Sequence, residues 1–262
     1  MTTIIITDCR DDNAMGRQIA RATTLLPFPA TLVGVSNDLE AAGNLIDVLD
    51  ALDGKPAVVL VNVAPRHDEA KKWENGTPFG YFWHQETLVV ASIDGHALSL
   101  VKQLKLVDAI NVMDIPTALD EMVAKEFLAP ELKDYIVSTQ FRSFEFVPRA
   151  AAYIWQYKSI VSTPLAMTEI PDAGKAVWWV DNFGNCKTTM LASSEAQLIN
   201  GAPFFLSIGQ FPYYARLKDV PNGEIAVIAG SSGLGTQRFL EVVVQGGNAS
   251  MDLGLISRSV IA

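Results

Sequence analysis

The chain has 262 residues, of which 49% are hydrophobic, and a formal net charge of −9. Nucleic-acid backbones and anionic membrane surfaces select for clustered lysine and arginine, so neither is expected to be a partner of this acidic chain. The length allows one large core or two smaller domains, and no apolar run approaches the roughly 20 residues of a membrane-spanning helix.

The cysteines of the chain indicate a reducing compartment, and its histidines argue against a metal-binding site. Cys9 and Cys186 are far apart, which fits two plain buried thiols in a reducing compartment better than a disulfide framework. His67, His84 and His96 have no metal-ligand spacing, so no metal site is predicted. Residues 1–12 lack the pattern of a signal peptide, and we therefore expect a cytoplasmic protein.

The first part of the chain alternates between strand-like and helix-like segments. The strands are apolar on both faces, which suits a parallel sheet covered by helices. The predicted strands are Ile4–Ile6, Ala30–Val35, Ala57–Val63 and Thr87–Ala91, and the predicted helices are Ala14–Leu26, Leu39–Leu52, His96–Leu104, Thr117–Phe127 and Ala150–Tyr157. Asp12 or Asn13 is the predicted N-cap of the first helix.

The periodic pattern breaks between Ala64 and Glu86, where two prolines and several charges precede the aromatic cluster Phe79–Trp83. A long loop is predicted there, and loops of that length are often functional. The aromatic cluster is equally compatible with a contact between subunits.

A second domain is predicted after a stretch rich in proline, threonine and glycine at Ser162–Gly174. Short strands are predicted beyond it at Ala176–Val180, Phe204–Ile208, Glu224–Ala229 and Leu240–Val244. The predicted fold class is α/β, with an N-terminal domain over residues 1–165 around a mostly parallel sheet and a smaller antiparallel, barrel-like β domain over residues 172–262.

The glycine-rich run Gly230–Gly235 could be taken for a phosphate-binding loop. It lacks the lysine of such a loop, and no helix is predicted after it. We therefore predict a hairpin turn between the strands Glu224–Ala229 and Leu240–Val244.

Two groups of polar residues are candidates for a binding site. Asp8, Asn62 and Asp94 lie at or just beyond the carboxyl ends of predicted strands, where ligands of open α/β sheets bind. In the second domain, the segment Asp181–Asn185 is explained either by a β-turn or by a purine site. In the purine interpretation, Phe183 stacks on the base and the Asn185 amide bonds its edge.

Several segments carry motifs of a known enzyme family in the same order along the chain. They are Ile6–Asp8 with Asp12 and Met15–Gly16, then Ser92–Gly95, Phe141–Glu145, Val180–Asn185, Leu240–Glu241 and Gly246–Ala249. Together they resemble the opening acidic loop, the Pro-Asp-Asn-Gly turn, the Phe-His-Gly-Arg-Asp segment, the Asp-x-Phe-Gly-Asn signature and the final Gly-Asn-Ala turn of one superfamily. That superfamily contains the S-adenosylmethionine hydroxide adenosyltransferases, the fluorinases and the chlorinases.

The resemblance implies a homotrimer with S-adenosylmethionine as substrate and no further cofactor. The ligand would lie between the larger domain of one subunit and the β domain of its neighbour. The implied contacts are Asp8 to the ribose hydroxyls, Asp12 and Asp181 to the methionine ammonium, Ser232 to its carboxylate, and Phe183, Asn185, Asn248 and the Ala249 backbone to the adenine.

The implied reaction is an in-line displacement at the ribose C5′ by water or hydroxide, with methionine leaving as a neutral thioether. The sulfonium already activates that carbon, so the protein must mainly align and desolvate the nucleophile. The residues implied to do so are Asn62, Arg142 and Ser143.

Three positions depart from the hydrolytic members of the family. Asn62 replaces an aspartate, Arg142 replaces a histidine and Phe144 replaces an arginine. Arg66, His67 and Asp68 are candidates to supply the missing groups. A hydrolase and a catalytically silent protein that keeps the adenosine pocket therefore both remain open.

Overall fold

A computed structural model of the chain describes residues 1–63, 77–195 and 198–261. The chain divides into two compact units. The first comprises the described residues of Met1–Ala41 and Leu52–Pro171, and the second comprises Ala42–Ala51 together with the described residues from Asp172 onward. The predicted boundaries assigned residues 42–51 to the first domain, whereas the structure groups them with the second unit.

The α/β fold class is confirmed. In the first unit the strands are β1 (Thr3–Thr7), β2 (Ala30–Gly34), β3 (Ala57–Asn62), β4 (Phe79–His84), β5 (Thr87–Ser92), β6 (Ala109–Met113) and β7 (Thr163–Ala166). The helices are α1 (Asp12–Leu25), α2 (Asp38–Leu52, shared with the second unit), α3 (Ser99–Gln103), α4 (Ile115–Ala124), α5 (Lys133–Ser138), α6 (Arg142–Glu145) and α7 (Val147–Tyr157).

The strands of the first unit form one mixed sheet in the order β2-β1-β3-β5-β4-β6-β7. Its first four strands are mutually parallel, and the remaining three pair antiparallel with their neighbours. All six residues of β5 are buried, as expected for a strand covered on both faces. Helix α7 packs against β3 and β5 and contributes Tyr153 and Ile154 to the core.

Two predictions for the first unit are wrong. Phe79–Trp83 does not belong to a loop, because it forms most of β4, which turns through Gln85 and Glu86 into β5. The N-cap of α1 is neither Asp12 nor Asn13 but Asp11, whose extended backbone lets its carboxylate accept a hydrogen bond from the Ala14 N–H at 3.0 Å. Strands β6 and β7 had not been predicted.

The second unit is a smaller β structure. Its elements are β8 (Val177–Val180), β9 (Cys186–Leu191), β10 (Pro203–Leu206), β11 (Gly209–Tyr214), β12 (Ile225–Leu234), β13 (Gln237–Val244) and α8 (Ala249–Leu253). The sheet order is β10-β11-β12-β13-β9-β8. One pair, β11 with β12, is parallel, so the sheet is not antiparallel throughout as predicted.

The predicted hairpin is present, because β12 and β13 pair antiparallel, but its turn is shorter than the glycine-rich run. Residues Gly230–Leu234 continue strand β12, with a bulge between Ala229 and Gly233, and the turn to β13 lies at Gly235 and Thr236. Close packing explains the glycine at position 230, because a Cβ atom there would lie 2.3 Å from the Glu241 carboxylate.

None of the helices in the described ranges combines the length and the hydropathy needed to cross a bilayer.

Candidate functional site

A cavity of about 170 Å³ opens in the first unit at the carboxyl edge of the parallel strands. Asp8 directly follows β1, while Asn62 and Ser92 end the neighbouring strands β3 and β5. Arg142 and Ser143 reach the cavity from the start of α6. Four residues predicted from separate motifs (Asp8, Asn62, Arg142 and Ser143) therefore line one space.

The polar groups at these strand ends are tied to one another. The Asp8 N–H donates to the Asn62 carbonyl at 3.3 Å, and the Asn62 side-chain amide donates to the Thr7 hydroxyl at 3.4 Å. The Ser92 hydroxyl donates to the Val63 carbonyl at 2.8 Å. These bonds fix the backbone on which the Asp8 carboxylate is presented.

Arg142 places a positive charge in the wall of the same cavity. Burial lowers the pKa of its guanidinium, which still stays protonated at neutral pH because arginine starts from above about 12. Its side chain makes no hydrogen bond or ion pair with any of the described residues. The cation is therefore available to a ligand or to a reacting anion.

Phe144 stands where the resemblance implies an arginine, and two cations lie against its ring. The guanidinium carbons of Arg17 and Arg21 lie 4.7 and 4.5 Å from the centre of its ring. The ring also stacks on Phe141 with a centroid distance of 5.4 Å and an interplanar angle of 26°. Phe144 therefore serves as a packing residue of α6, and its side chain supplies no hydrogen-bonding group.

Helix α6 is anchored beneath the cavity by Glu145, which is 3% exposed. Its carboxylate accepts hydrogen bonds from Arg149 at 2.7 Å, from Arg21 at 3.2 Å and from the Tyr135 hydroxyl at 3.3 Å. Since Arg142 and Glu145 belong to the same short helix, this buried network positions the residue that enters the site.

Other predicted residues of the first unit do not line the cavity. Asp12 is exposed in the first turn of α1, and the Asp94 carboxylate accepts a hydrogen bond from the Gly95 N–H of its own turn. Arg66, His67 and Asp68 lie outside the described residues. Within those residues, no group of three or more His, Cys, Asp or Glu side chains could hold a metal ion.

Cys9 and Ser92 line the cavity but were not among the residues predicted to form the site. Cys9 was predicted to be a plain buried cysteine, but it is partly exposed in the cavity wall, and its thiol donates to the Asp8 carboxylate at 3.6 Å. Ser92 had a detectable signal, because it ends an apolar strand beside Asp94. Cys186, in contrast, is buried as predicted, and burial together with the nearby Asp181 and Glu241 raises its thiol pKa to about 12.

In the second unit, Asp181–Asn185 forms the predicted turn. The Asp181 carboxylate accepts hydrogen bonds at 2.9 Å from the backbone N–H groups of Phe183 and Asn185 and from the Asn185 amide. Phe183 projects from this turn with 69% of its surface exposed. The turn therefore explains Asp181 structurally, and it also presents an uncovered aromatic ring.

The turn packs against the Gly-Asn-Ala motif at the start of α8. Asn248 caps α8 by accepting a hydrogen bond from the Met251 N–H at 2.8 Å, and Ala249 is fully buried. Gly184 has a φ of +84°, and a Cβ there would lie 2.1 Å from the Asn248 side chain. Two motifs that are distant in sequence are thus adjacent in the second unit.

Ser232 does not have the role that the resemblance implies. Its hydroxyl donates to the Asp47 carboxylate at 2.8 Å, and the Gly233 N–H donates to the same carboxylate at 3.0 Å. The side chain of Ser232 is buried, and its one hydroxyl proton is used by Asp47, so it is not available to bind the carboxylate of a ligand. Asp47 was not predicted from the sequence.

Replacing Glu241 with glutamine is expected to stabilise the protein at neutral pH by a few degrees in Tm. Burial raises the pKa of Glu241, with Asp181 and Asp47 adding to the rise against the opposing effect of Lys187. A raised pKa means that the folded state loses stability as pH rises from the ordinary carboxyl value through the raised one. Thermal unfolding across pH should show the two proteins converging in acid. The exposed variant Glu224→Gln should show no such effect, and a pH-independent difference for Glu241→Gln would contradict the prediction.

No protein-family model matches the chain, and no curated protein matches it. Similar folds occur among solved structures. An uncharacterized conserved protein from Thermotoga maritima has a TM-score of 0.67 and 18% identity, with 98% of this chain and 97% of that chain covered. A conserved hypothetical protein from Thermus thermophilus has a TM-score of 0.61 and 19% identity with the same coverage. At such identity these likenesses show the fold alone, and the chain shares that fold over nearly its whole length.

Proposed function

We propose that this protein binds S-adenosylmethionine and cleaves it to adenosine and L-methionine by displacement at the ribose C5′ with water or hydroxide. The supporting observation is that Asp8, Asn62, Arg142 and Ser143 line one cavity at the carboxyl edge of the sheet. These residues come from three separate motifs of the resemblance, and such an edge is where α/β folds bind ligands.

The Asp8 carboxylate is suited to the ribose. Two neighbouring hydroxyls are donors, and a carboxylate offers two oxygens with several acceptor positions. Hydrogen bonds to an ionised acceptor are about twice as strong as neutral ones. Asp8 would therefore orient the sugar and, with it, the C5′ carbon.

The cavity is smaller than the roughly 300 Å³ at which sites begin to enclose a drug-sized ligand. Its volume of about 170 Å³ is thus enough for part of the substrate. We expect a neighbouring subunit of a homotrimer to cover the rest, with Phe183 stacking on the adenine and with Asn185 and the Ala249 backbone at its edge. The exposure of Phe183 supports this arrangement, because the ring has an open face.

Arg142 would hold the nucleophile. In the proposed step an oxygen of water or hydroxide bonds to C5′, the C5′–S bond breaks with its electron pair going to sulfur, and the proton of an attacking water passes to solvent. A guanidinium without a carboxylate partner among the described residues stabilises hydroxide-like charge on that oxygen. Asn62 and Ser143 would supply hydrogen bonds that orient it.

One observation favours a second candidate, a catalytically silent protein that binds the same nucleoside. Among the described residues that line the cavity, Asp8 is the single carboxylate, and ribose binding already uses it. Phe144 is packed between Arg17 and Arg21 and offers no polar group to a water molecule. In this alternative the protein keeps the pocket but has lost the residues that activate water.

Incubation of the purified protein with S-adenosylmethionine distinguishes the two candidates. We expect adenosine and methionine to accumulate above a protein-free control, as measured by chromatography, and Arg142→Gln to reduce product formation while calorimetry still detects adenosine binding. Saturable binding with no product over many hours would retire the enzyme in favour of the silent binder. Absence of both binding and product would retire both candidates.

A further inference from the structure

A second and larger cavity, of about 400 Å³, lies in the first unit at the opposite edge of the sheet. Pro56 lines it just before β3, and Gln85 and Glu86 line it from the turn between β4 and β5. Trp155 and Lys158, near the end of α7, complete its wall together with Trp83 and the N-terminal residue Met1. None of these residues belongs to the site described above.

Two tryptophans give this cavity an aromatic wall. The rings of Trp83 and Trp155 lie 5.6 Å apart at an interplanar angle of 35°. Trp155 is held from behind by the buried Phe28, whose ring meets it edge-on at 5.3 Å and 82°. The wall is therefore supported by the core while part of both indoles remains accessible.

A lysine is fixed in front of this wall. The ammonium nitrogen of Lys158 lies 4.9 Å from the ring centre of Trp83 and 5.0 Å from that of Trp155. Its backbone is set by two hydrogen bonds, since its N–H donates to the Ile154 carbonyl at 2.7 Å and its carbonyl accepts from the Trp83 indole at 3.4 Å. The cation is thus positioned by the end of α7.

Glu86 adds a negative charge to the same cavity. Across the described residues, no carboxylate lies within 4.0 Å of the Lys158 ammonium, and no cationic nitrogen lies within 4.0 Å of the Glu86 carboxylate. The two opposite charges therefore face the cavity without neutralising each other. A ligand that carries one negative and one positive group can pair with both side chains, whereas an apolar ligand pairs with neither and a simple aromatic acid pairs with Lys158 alone.

We propose that this cavity binds an aromatic α-amino acid as its zwitterion. The ring would pack on Trp83 and Trp155, the carboxylate would pair with Lys158, and the ammonium would pair with Glu86. A volume of about 400 Å³ falls within the range of sites that enclose small organic ligands. Aromatic stacking and two charge-assisted contacts would together favour aromatic α-amino acids over ligands that lack the ring, the carboxylate or the ammonium.

A matched series of ligands tests each part of the proposal. L-Phenylalanine is titrated into the full chain while tryptophan fluorescence is followed, because phenylalanine does not absorb where tryptophan is excited at its red edge. Phenylpropanoate lacks the ammonium, phenethylamine lacks the carboxylate and L-alanine lacks the ring. We expect saturable binding of L-phenylalanine and at least about tenfold weaker binding of every other ligand. Equal affinity for phenylpropanoate or phenethylamine, or no binding of L-phenylalanine, overturns the proposal.

Variants identify the cavity as the site of binding. Lys158→Gln and Glu86→Gln change exposed side chains, so they are expected to fold normally, as circular dichroism would verify, and to weaken L-phenylalanine binding at least about tenfold. Lys125→Gln and Glu126→Gln, at exposed positions outside the cavity, serve as matched controls and should bind as the parent does. Unchanged affinity in Lys158→Gln overturns the proposal. Asp8→Ala should leave L-phenylalanine binding intact. The proposal for this cavity can therefore be tested independently of the proposed adenosine site.

Discussion

Replacing Asp8 with alanine is expected to weaken adenosine binding by about 1.5–3 kcal/mol, which is roughly a 10- to 150-fold rise in Kd. The loss would come from charge-assisted hydrogen bonds between the carboxylate and the ribose hydroxyls. Isothermal titration calorimetry with adenosine measures it directly. Asp134→Ala, which removes an exposed carboxylate in the first turn of α5, is the matched control and should bind adenosine normally.

The backbone that presents Asp8 limits the side effects of this substitution. The bonds that tie β1 to β3 at this point run through the Asp8 N–H, the Asn62 amide and the Thr7 hydroxyl, and the alanine variant keeps all three groups. A changed affinity would therefore report on the carboxylate. An unchanged affinity would mean that adenosine does not contact Asp8 and that the proposed pocket is misplaced.

The parts of the fold that the sequence predicted well are those with unambiguous burial. β3 and β5 are apolar on both faces, and their ends are marked by Asn62 and Ser92, so both the sheet and the edge that carries the cavity could be predicted. β4 was missed because Phe79–His84 follows prolines and charges, and its pairing with β5 depends on a two-residue turn that lacks glycine. A short edge strand such as β7 has too few alternating positions to be recognised.

The candidate site was predictable where motifs mark strand ends, and it was not where contacts depend on tertiary structure. Helix α2 is the clearest example of a contact that could not be predicted, since its residues Ala42–Ala51 pack in the second unit. Gly43 permits this packing, because a Cβ there would lie 2.1 Å from the Trp178 ring. Asp47 on the same helix takes the hydroxyl proton of Ser232. Nothing in the local sequence of Ser232 indicates that partner, 185 residues away.

Replacing Glu145 with alanine is expected to lower the free energy of unfolding by about 3–5 kcal/mol. Its side chain is 4% exposed, and it accepts hydrogen bonds from Arg149, itself 9% exposed, and from Arg21. Removing the carboxylate leaves Arg149 without its anion in a region that water barely reaches, while Arg21, at 27% exposed, is partly solvated. The uncompensated buried charge of Arg149 accounts for most of the expected loss. Urea denaturation measures the change.

The ion pair between Lys133 and Asp120 provides the comparison, because the Asp120 side chain is 62% exposed and such pairs contribute about 0–1 kcal/mol. Asp120→Ala should therefore change stability little, and a Glu145→Ala variant no less stable than Asp120→Ala would contradict the role assigned to burial. Helix α6 carries Arg142 and Ser143 into the cavity and is held by Glu145 from below. Because of that connection, the variant that loses the anchor should also bind adenosine more weakly under conditions where it is still folded, although Glu145 does not line the cavity.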